Sequence, residues 1–306
     1  MSADKPKPVL MVTGVTACGK TSRAVTLARA LGGEIVSADS RQVYRGMDIG
    51  TGKDLGEYGD VPVHVLDVVP AGYRYNLYEY LRDARACIDD IEFRGHLTIV
   101  CGGTGLYVES LARGTRLPEV PENPALRKSL EGKSLAELTE ILAGMKRLHN
   151  TTDVDTAKRA IRAIEIETYY AEHPELAAAV KGNGDDRRYA IICLDIDRES
   201  RRERISRRLR SRLDDGMLDE ARRLMAEGVD ADTMLYYGLE YKFMALHLTG
   251  ALSYDEMVSG LETAIHQFAK RQATWFRGME RRGFTLHHVP YDIPDVDLIA
   301  EAKSLL

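Results

Sequence analysis

Gly14-Val15-Thr16-Ala17-Cys18-Gly19-Lys20-Thr21 follows the apolar run Val9 to Thr13 and precedes a helical pattern of Ala24, Leu27, Ala28 and Leu31. The stretch satisfies G-x-x-x-x-G-K-[ST] at every fixed position, and a strand before it with a helix after it is the context that motif requires. Such a loop turns successive backbone N–H groups toward a phosphate at a helix N-terminus, where the orphan donors and the macrodipole favour an anion. Lys20 adds a point charge, and the Thr21 hydroxyl is the candidate magnesium ligand. The competing reading is an ordinary glycine turn. Cys18 at a helix start can be read as a reactive thiol, but it reads better as a small residue whose amide is what counts. The loop does not choose among kinases, nucleotide hydrolases and pyrophosphate users, so the chemistry must be argued from other residues.

Outward from the loop, strands are expected at Glu34 to Ala38, Val63 to Val69, Leu97 to Cys101, Tyr189 to Leu194 and Phe284 to Val289, with helices such as Tyr78 to Ile91 between several of them. This alternation predicts an α/β fold with a P-loop NTPase-like parallel sheet and flanking helices. It breaks at Arg116, where LPEVPENP opens a helical stretch that closes on KGNGDD. A small helical insertion over 116–185 is expected, with 1–115 as the first part of the core and 186–306 as its completion. A long helix is expected from Ser253 to Arg282, with Met257, Leu261, Ile265, Phe268, Gln272 and Trp275 along one side.

The chain has 306 residues, 44% hydrophobic and 29% charged, which suits a folded core and excludes disordered or fibrous classes. Runs such as Val9 to Val12 fall far short of the ~20 apolar residues of a spanning helix, and no signal peptide precedes them. A cytoplasmic protein with no membrane association is expected. Cys18, Cys87, Cys101 and Cys193 form no C-x-x-C pair, which argues against a disulfide framework and against a zinc site. The net charge of −5 hides two basic stretches, one with eight arginines from Arg198 to Arg212 and one with Lys270, Arg271, Arg277, Arg281 and Arg282. In the first, Ile205, Leu209 and Leu213 form an apolar seam that leaves the arginines outward as a general electrostatic aid.

Many P-loop enzymes carry an aspartate after a second apolar strand. Here Leu97 to Cys101 runs instead into Gly102-Gly103-Thr104-Gly105-Leu106-Tyr107, and the acidic residue follows the Glu34 strand in Asp39-Ser40-Arg41-Gln42-Val43-Tyr44. A carboxylate at that edge of a parallel sheet sits where ligands of such sheets bind. It could take a proton from a nucleophile while the P-loop holds a diphosphate leaving group; alone, it reads equally as a turn aspartate.

Taken together, the P-loop, DSRQVY, GGTGLY and Lys270-Arg271-Gln272-Ala273-Thr274-Trp275-Phe276-Arg277 resemble the tRNA dimethylallyltransferase family. His64-Val65-Leu66-Asp67, Leu117-Pro118 through Pro124 with Arg127, and Lys158 to Glu165 resemble further family segments, so the likeness runs from about residue 9 to 282. It implies transfer of a dimethylallyl group from dimethylallyl diphosphate to the exocyclic amine of an adenosine beside the anticodon. In that reading Asp39 is the general base, Thr16 and Lys20 assist, Gly14 to Thr21 hold the diphosphate, and Mg2+ sits on Thr21. The tRNA anticodon arm would meet Asp39, Ser40, Arg41, Gln42, Thr104, Arg127, Lys158, Arg159, Ala160, Ile161, Arg162, and Lys270 to Arg277. A monomer is the working expectation. Residue type alone reads Trp275 as buried structure before a stacking platform, and Lys158, Arg159 and Arg162 as a solvated helix face. The chain departs from the family at Val15, Cys18 and Gly238-Leu239-Glu240-Tyr241-Lys242, where G-Y-[KR]-E is usual. A P-loop kinase using ATP, an adenylate isopentenyltransferase and a non-catalytic RNA-binding module stay open as alternatives.

Overall fold

In the computed structural model, which describes residues 8–148, 152–176 and 187–306, the motif-bearing strand β1 (Val9–Gly14) is buried along its whole length. VLMVTG offers no polar alternation, as a strand covered on both faces requires. It lies between β6 (Leu97–Cys101) and β7 (Tyr189–Asp195) in a six-stranded sheet ordered β4-β2-β6-β1-β7-β8, with β2 at Gly33–Ser37, β4 at Val63–His64 and β8 at Leu286–Pro290. Every pairing is parallel, so each link crosses over, several through helices such as α1 (Lys20–Leu31) and α2 (Leu77–Phe93). The register Leu10↔Ile99 and Leu10↔Ala190 sets the carboxyl ends of β1, β6 and β7 side by side. The loops after them therefore share one edge.

One expected strand is two. Val63 to Val69 divides into β4, in the main sheet, and β5 (Val69–Pro70), which pairs with β3 (Tyr44–Arg45) in a separate two-stranded sheet. Val65 at φ 61° and Asp67 at φ 53° turn the chain between them. A left-handed conformation is costly for a β-branched valine, and two contacts hold the turn: Asp67 N donates to the Gln42 carbonyl at 3.2 Å, and the buried Lys53 ammonium pairs with the Asp67 carboxylate.

Chain contacts define two compact units, Met1–Gly114 with Asp186–Leu306, and Thr115–Asp185. In the first, α7 (Arg198–Asp214) buries Ile205 and Leu209. The long helix α11 (Tyr254–Arg281) opens on a capping box between Ser253 and Glu256 and packs on β1, α7, and α3 (Gly105–Ala112). Its buried seam is Met257, Leu261, Ile265, Ala269, Gln272, Phe276 and Met279. Phe268 and Trp275, expected on that seam, are 38% and 39% exposed. The 3.6-residue period places Ala269 and Phe276 inward in their stead.

In the second unit, α4 (Pro124–Leu130), α5 (Leu135–Met145) and α6 (Ala157–Glu172) close a core of Leu130, Leu138, Leu142, Ala160, Ala163 and Ile164. Asn123, Ser134 and Thr156 cap these helices with side-chain oxygens, as short helices with little apolar surface need. The closing KGNGDD segment lies outside the described residues. No helix among the described residues is long and apolar enough to cross a membrane.

Candidate active site

Gly14 ends β1 at φ 147°, and a Cβ there would lie 2.9 Å from both the Leu194 carbonyl oxygen and Cys18 Sγ, so only glycine lets the loop turn off the sheet. Gly19, at φ 87°, starts α1 with no side-chain cap. The first amides of that helix thus remain for an anion. Lys20 Nζ donates to the Val15 carbonyl at 2.9 Å, which folds the lysine over its own loop. Cys18 is 1% exposed with its sulfur beside Gly14, so it fills the loop rather than opening to solvent as a nucleophile.

Asp39 stands just past β2, where Ala38 N donates to the Cys101 carbonyl at 2.8 Å and Thr104 N donates back to the Ala38 carbonyl at 3.2 Å. This exchange brings the DSRQVY and GGTGLY loops together. Asp39 Oδ1 accepts from Arg41 N at 2.8 Å, and Thr104 Oγ1 accepts from Ser40 N at 3.0 Å, so the carboxylate is aimed by its own turn. Gln42 is buried and donates through Nε2 to the Gly52 carbonyl at 3.0 Å, a strut inside the loop layer. Gln272, from α11, ties the walls: its Oε1 accepts from Thr16 N at 2.8 Å and its Nε2 donates to the Gly103 carbonyl at 2.8 Å.

Thr16, Lys20, Thr21, Asp39, Ser40, Arg41, Gln42, Thr104, Arg271, Gln272 and Trp275 line one cavity of about 470 Å³. Leu106, Ile265, Phe268 and Trp275 supply its apolar wall. Trp275 is therefore a half-exposed cavity residue, with the Arg282 guanidinium 5.6 Å from its ring centre, and the expectation of a buried tryptophan is corrected. Phe276 is 3% exposed and belongs to the core, so its side chain is not available to RNA. Lys270, Thr274 and Arg277 lie on the exposed side of α11, with Ala273 half-buried, and Thr274 Oγ1 donates to the Lys270 carbonyl at 3.0 Å.

Sequence reasoning understated the arginine helix. Arg204, Arg208 and Arg212 flank the buried seam at i, i+4, i+8 spacing; Arg204 and Arg208 face the P-loop and Arg212 the adjoining cavity instead of open solvent. Arg204 Nε donates to the Ala17 carbonyl at 2.7 Å, Arg208 pairs with Asp54 and donates to the Gly52 carbonyl at 3.3 Å, and Arg208 and Arg212 both line the cavity. Burial, reinforced by the neighbouring Arg208 charge, lowers the Arg212 pKa to about 10, and its Nε has no partner. Burial raises the pKa of Glu240, also on the cavity, above its ordinary value, against the pull of Arg212. The four-residue arginine spacing was the available signal for this wall; nothing in the sequence pointed to Tyr58, Tyr237 or Tyr241, which line the cavity as well.

The remaining candidates belong to the second unit. Arg127 grips Glu165 through Nε and Nη2, each at 3.0 Å, and meets Glu122 at 2.8 Å. Arg162 also pairs with Glu165 and donates to the Val120 carbonyl at 2.8 Å. Burial works to raise the Glu165 pKa, but hydrogen bonds from Arg127, Asn123 N and Arg162 bring it below its ordinary value. Arg127 and Arg162 are thus half-engaged in holding their own unit together. Lys158 and Arg159 are exposed, the latter paired with Asp155; Ile161 is half-buried, and Ala160 is fully buried, so its side chain cannot touch RNA.

Residues 42–279 match the model of the IPP transferase family, and residues 7–58 match that of isopentenyl transferase. The chain belongs to the IPP transferase family. A tRNA dimethylallyltransferase 2 of Bacteroides fragilis is 54% identical to it over 97% of each chain. Among solved structures, the full-length tRNA isopentenylpyrophosphate transferase of Bacillus halodurans matches with a TM-score of 0.71 and 29% identity, covering 98% of this chain and 95% of that one. A eukaryotic dimethylallyltransferase acting on tRNA shares the fold at a TM-score of 0.80 and 22% identity, over 97% of this chain and 77% of its own. Within the matched residues, Asp39 to Gln42, Thr104 and Gln272 meet the P-loop residues Thr16, Lys20 and Thr21 at one cavity.

Proposed function

We propose that this chain transfers the dimethylallyl group of dimethylallyl diphosphate to the exocyclic amine of the adenosine next to a tRNA anticodon, releasing pyrophosphate. The observation that carries this reading is the meeting, in one cavity, of the Asp39 carboxylate, the P-loop residues Lys20 and Thr21, and the apolar wall of Leu106, Ile265 and Phe268. An anion seat, an apolar pocket and a base on the far side are what a prenyl diphosphate and an incoming amine need.

The amine nitrogen attacks the allylic carbon while that carbon's bond to the diphosphate oxygen breaks. The electron pair leaves with the pyrophosphate, onto the amides of Gly14 to Thr21 and the Lys20 ammonium. Asp39 takes the proton that the amine sheds. Thr16, whose amide is fixed by Gln272, steadies the junction between donor and acceptor. A paired or stacked adenine could not bring its amine to this carbon, so the base enters flipped out, past Arg41 and Trp275 on the cavity wall.

The donors beside the P-loop are oxygens, the Thr16 and Thr21 hydroxyls and the Asp39 carboxylate, which suits a hard cation that keeps most of its water. Thr21 would hold Mg2+, which would supply positive charge beside the pyrophosphate. The chain acts as a monomer in the cytoplasm, and the exposed Lys158, Arg159, Lys270, Thr274 and Arg277, with Arg127, supply further RNA contacts.

Incubating the purified protein and magnesium with labelled dimethylallyl diphosphate and either unmodified tRNA or AMP tests the reading. Label on tRNA alone is expected. Label on AMP in preference to tRNA, or on neither, refutes it.

A further inference from the structure

Behind the P-loop, at the edge of the sheet, three residues of different chemistry converge. Cys193 and Asp195 lie two apart on β7 and so share a face, and His288 of β8 is the register partner of Cys193. One ligand atom from each of the three lies within 4.8 Å of the other two. His288 Nδ1 is 3.0 Å from both Asp195 oxygens, and its Nε2 is 3.1 Å from Glu280 Oε1, in the last turn of α11.

From these contacts we infer that Cys193, Asp195 and His288 form a zinc site, with Glu280 orienting the histidine from behind. A tetrahedral zinc ion, with bonds of about 2.1 Å to nitrogen and oxygen and about 2.3 Å to sulfur, sets its ligand atoms roughly 3.3–3.6 Å apart. The observed 3.0 Å between Nδ1 and the Asp195 oxygens needs to open by only a few tenths of an ångström. A thiolate, an imidazole and a carboxylate suit zinc and not the hard cations that the P-loop serves. The contact from Glu280 is the kind of carboxylate–histidine support that fixes the ring and tautomer of a metal-bound imidazole.

The three ligands leave the fourth position to water, on the solvent side where Asp195 and His288 are exposed and Cys193 is buried. Binding expels the thiol proton and the Nδ1 proton to solvent, since both atoms must offer lone pairs. The ion would clip β7 to β8 and, through Glu280, to the helix whose Gln272 holds the P-loop. The absence of a C-x-x-C pair argued against zinc in the sequence, where Cys193 and His288 stand 95 positions apart. Parallel pairing of β7 and β8 removes that separation.

The alternative is a protonated His288 bridging two carboxylates with the thiol merely packed beside it. Tag-free, chelator-stripped full-length protein, titrated with Zn2+ against a chromophoric competitor and separately with Co2+, distinguishes the two. One equivalent of zinc is expected, with a cobalt complex that shows thiolate-to-metal charge transfer. Cys193→Ser should abolish that band, and His288→Ala or Asp195→Asn, both at exposed positions that leave the core intact, should weaken zinc at least 100-fold. Glu280→Gln should weaken it about 10- to 100-fold, while Cys87→Ser changes nothing. Absence of stoichiometric zinc, a charge-transfer band that survives Cys193→Ser, or full affinity in His288→Ala overturns the inference.

Discussion

Gln272→Ala removes a side chain that bridges the P-loop to the loop after β6. Its two hydrogen bonds, each 2.8 Å, end on the Thr16 amide and the Gly103 carbonyl, and the glutamine is 7% exposed. At about 0.5–1.5 kcal/mol net apiece the pair contributes about 1–3 kcal/mol. Water from the adjoining cavity can reach the freed groups, so the penalty should not exceed that range. In a unit of this size the loss lowers the melting temperature by roughly 2–10 °C. The effect on rate should be sharper, because freeing Thr16 loosens the junction of donor and acceptor, and a displacement of about 1 Å there costs on the order of 100-fold. Steady-state prenylation of tRNA should show kcat reduced about 10- to 100-fold. Gln272→Glu separates the two effects. It keeps an acceptor for Thr16 N, but it faces the Gly103 carbonyl with a carboxylate and adds negative charge beside the diphosphate. It should therefore raise KM for dimethylallyl diphosphate, which the alanine variant should change little. Wild-type kcat and melting temperature in Gln272→Ala would refute the bridge.

Four further outcomes are expected. Asp39→Ala should lower kcat by about 10²–10⁴-fold while tRNA binding, measured by filter retention, stays close to wild type; normal turnover would remove Asp39 from the role of base. Arg212→Met should raise KM for dimethylallyl diphosphate about tenfold without loss of thermal stability, since a desolvated guanidinium with an unpartnered Nε contributes little to folding; a lower melting temperature with unchanged KM would mean the arginine is structural. Gly14→Ala should destabilise the protein by about 1–3 kcal/mol in denaturant titration, because its φ of 147° and the 2.9 Å approach to Leu194 O leave no room for a methyl. Hydrogen bonding from Arg94, with help from His64 and His96, lowers the Glu34 pKa to about 2 despite its burial. A depressed carboxylate pKa stabilises the fold above the unfolded value near 4.5 and loses that contribution as pH falls toward 2. Arg94→Met should flatten the acid limb of a stability–pH curve in that window, and an unchanged limb would refute the assignment.

Local chemistry was enough to read most of the frame. The P-loop, β1, β6, β7 and the long basic helices are each specified by a contiguous run whose period or glycine spacing has one structural solution. Asp39 and Lys20 could likewise be named before their geometry was known, because each closes a strand or opens a helix at the ligand-binding edge of a parallel sheet. The failures have a common cause. Val63 to Val69 has the composition of one strand, but Val65 and Asp67 sit in turn conformations, and Asp67 is held by Gln42 and Lys53, both remote in the chain. Trp275 is as hydrophobic as Phe276, yet a 100° step around α11 puts one in the cavity and the other in the core. Which arginines of α7 face the P-loop also depended on how that helix packs.

The P-loop on its own predicts a seat for a phosphate-bearing ligand, because backbone amides at a helix start are encoded by eight neighbouring residues. What stands opposite that phosphate was decided by tertiary structure alone: Gln272, Arg212 and Glu240 reach the same cavity from three separate helices, and Cys193 meets His288 only through strand pairing. Pattern within a helix or strand fixes direction, but charge and hydrogen bonds converge only once the sheet has brought its strand ends together.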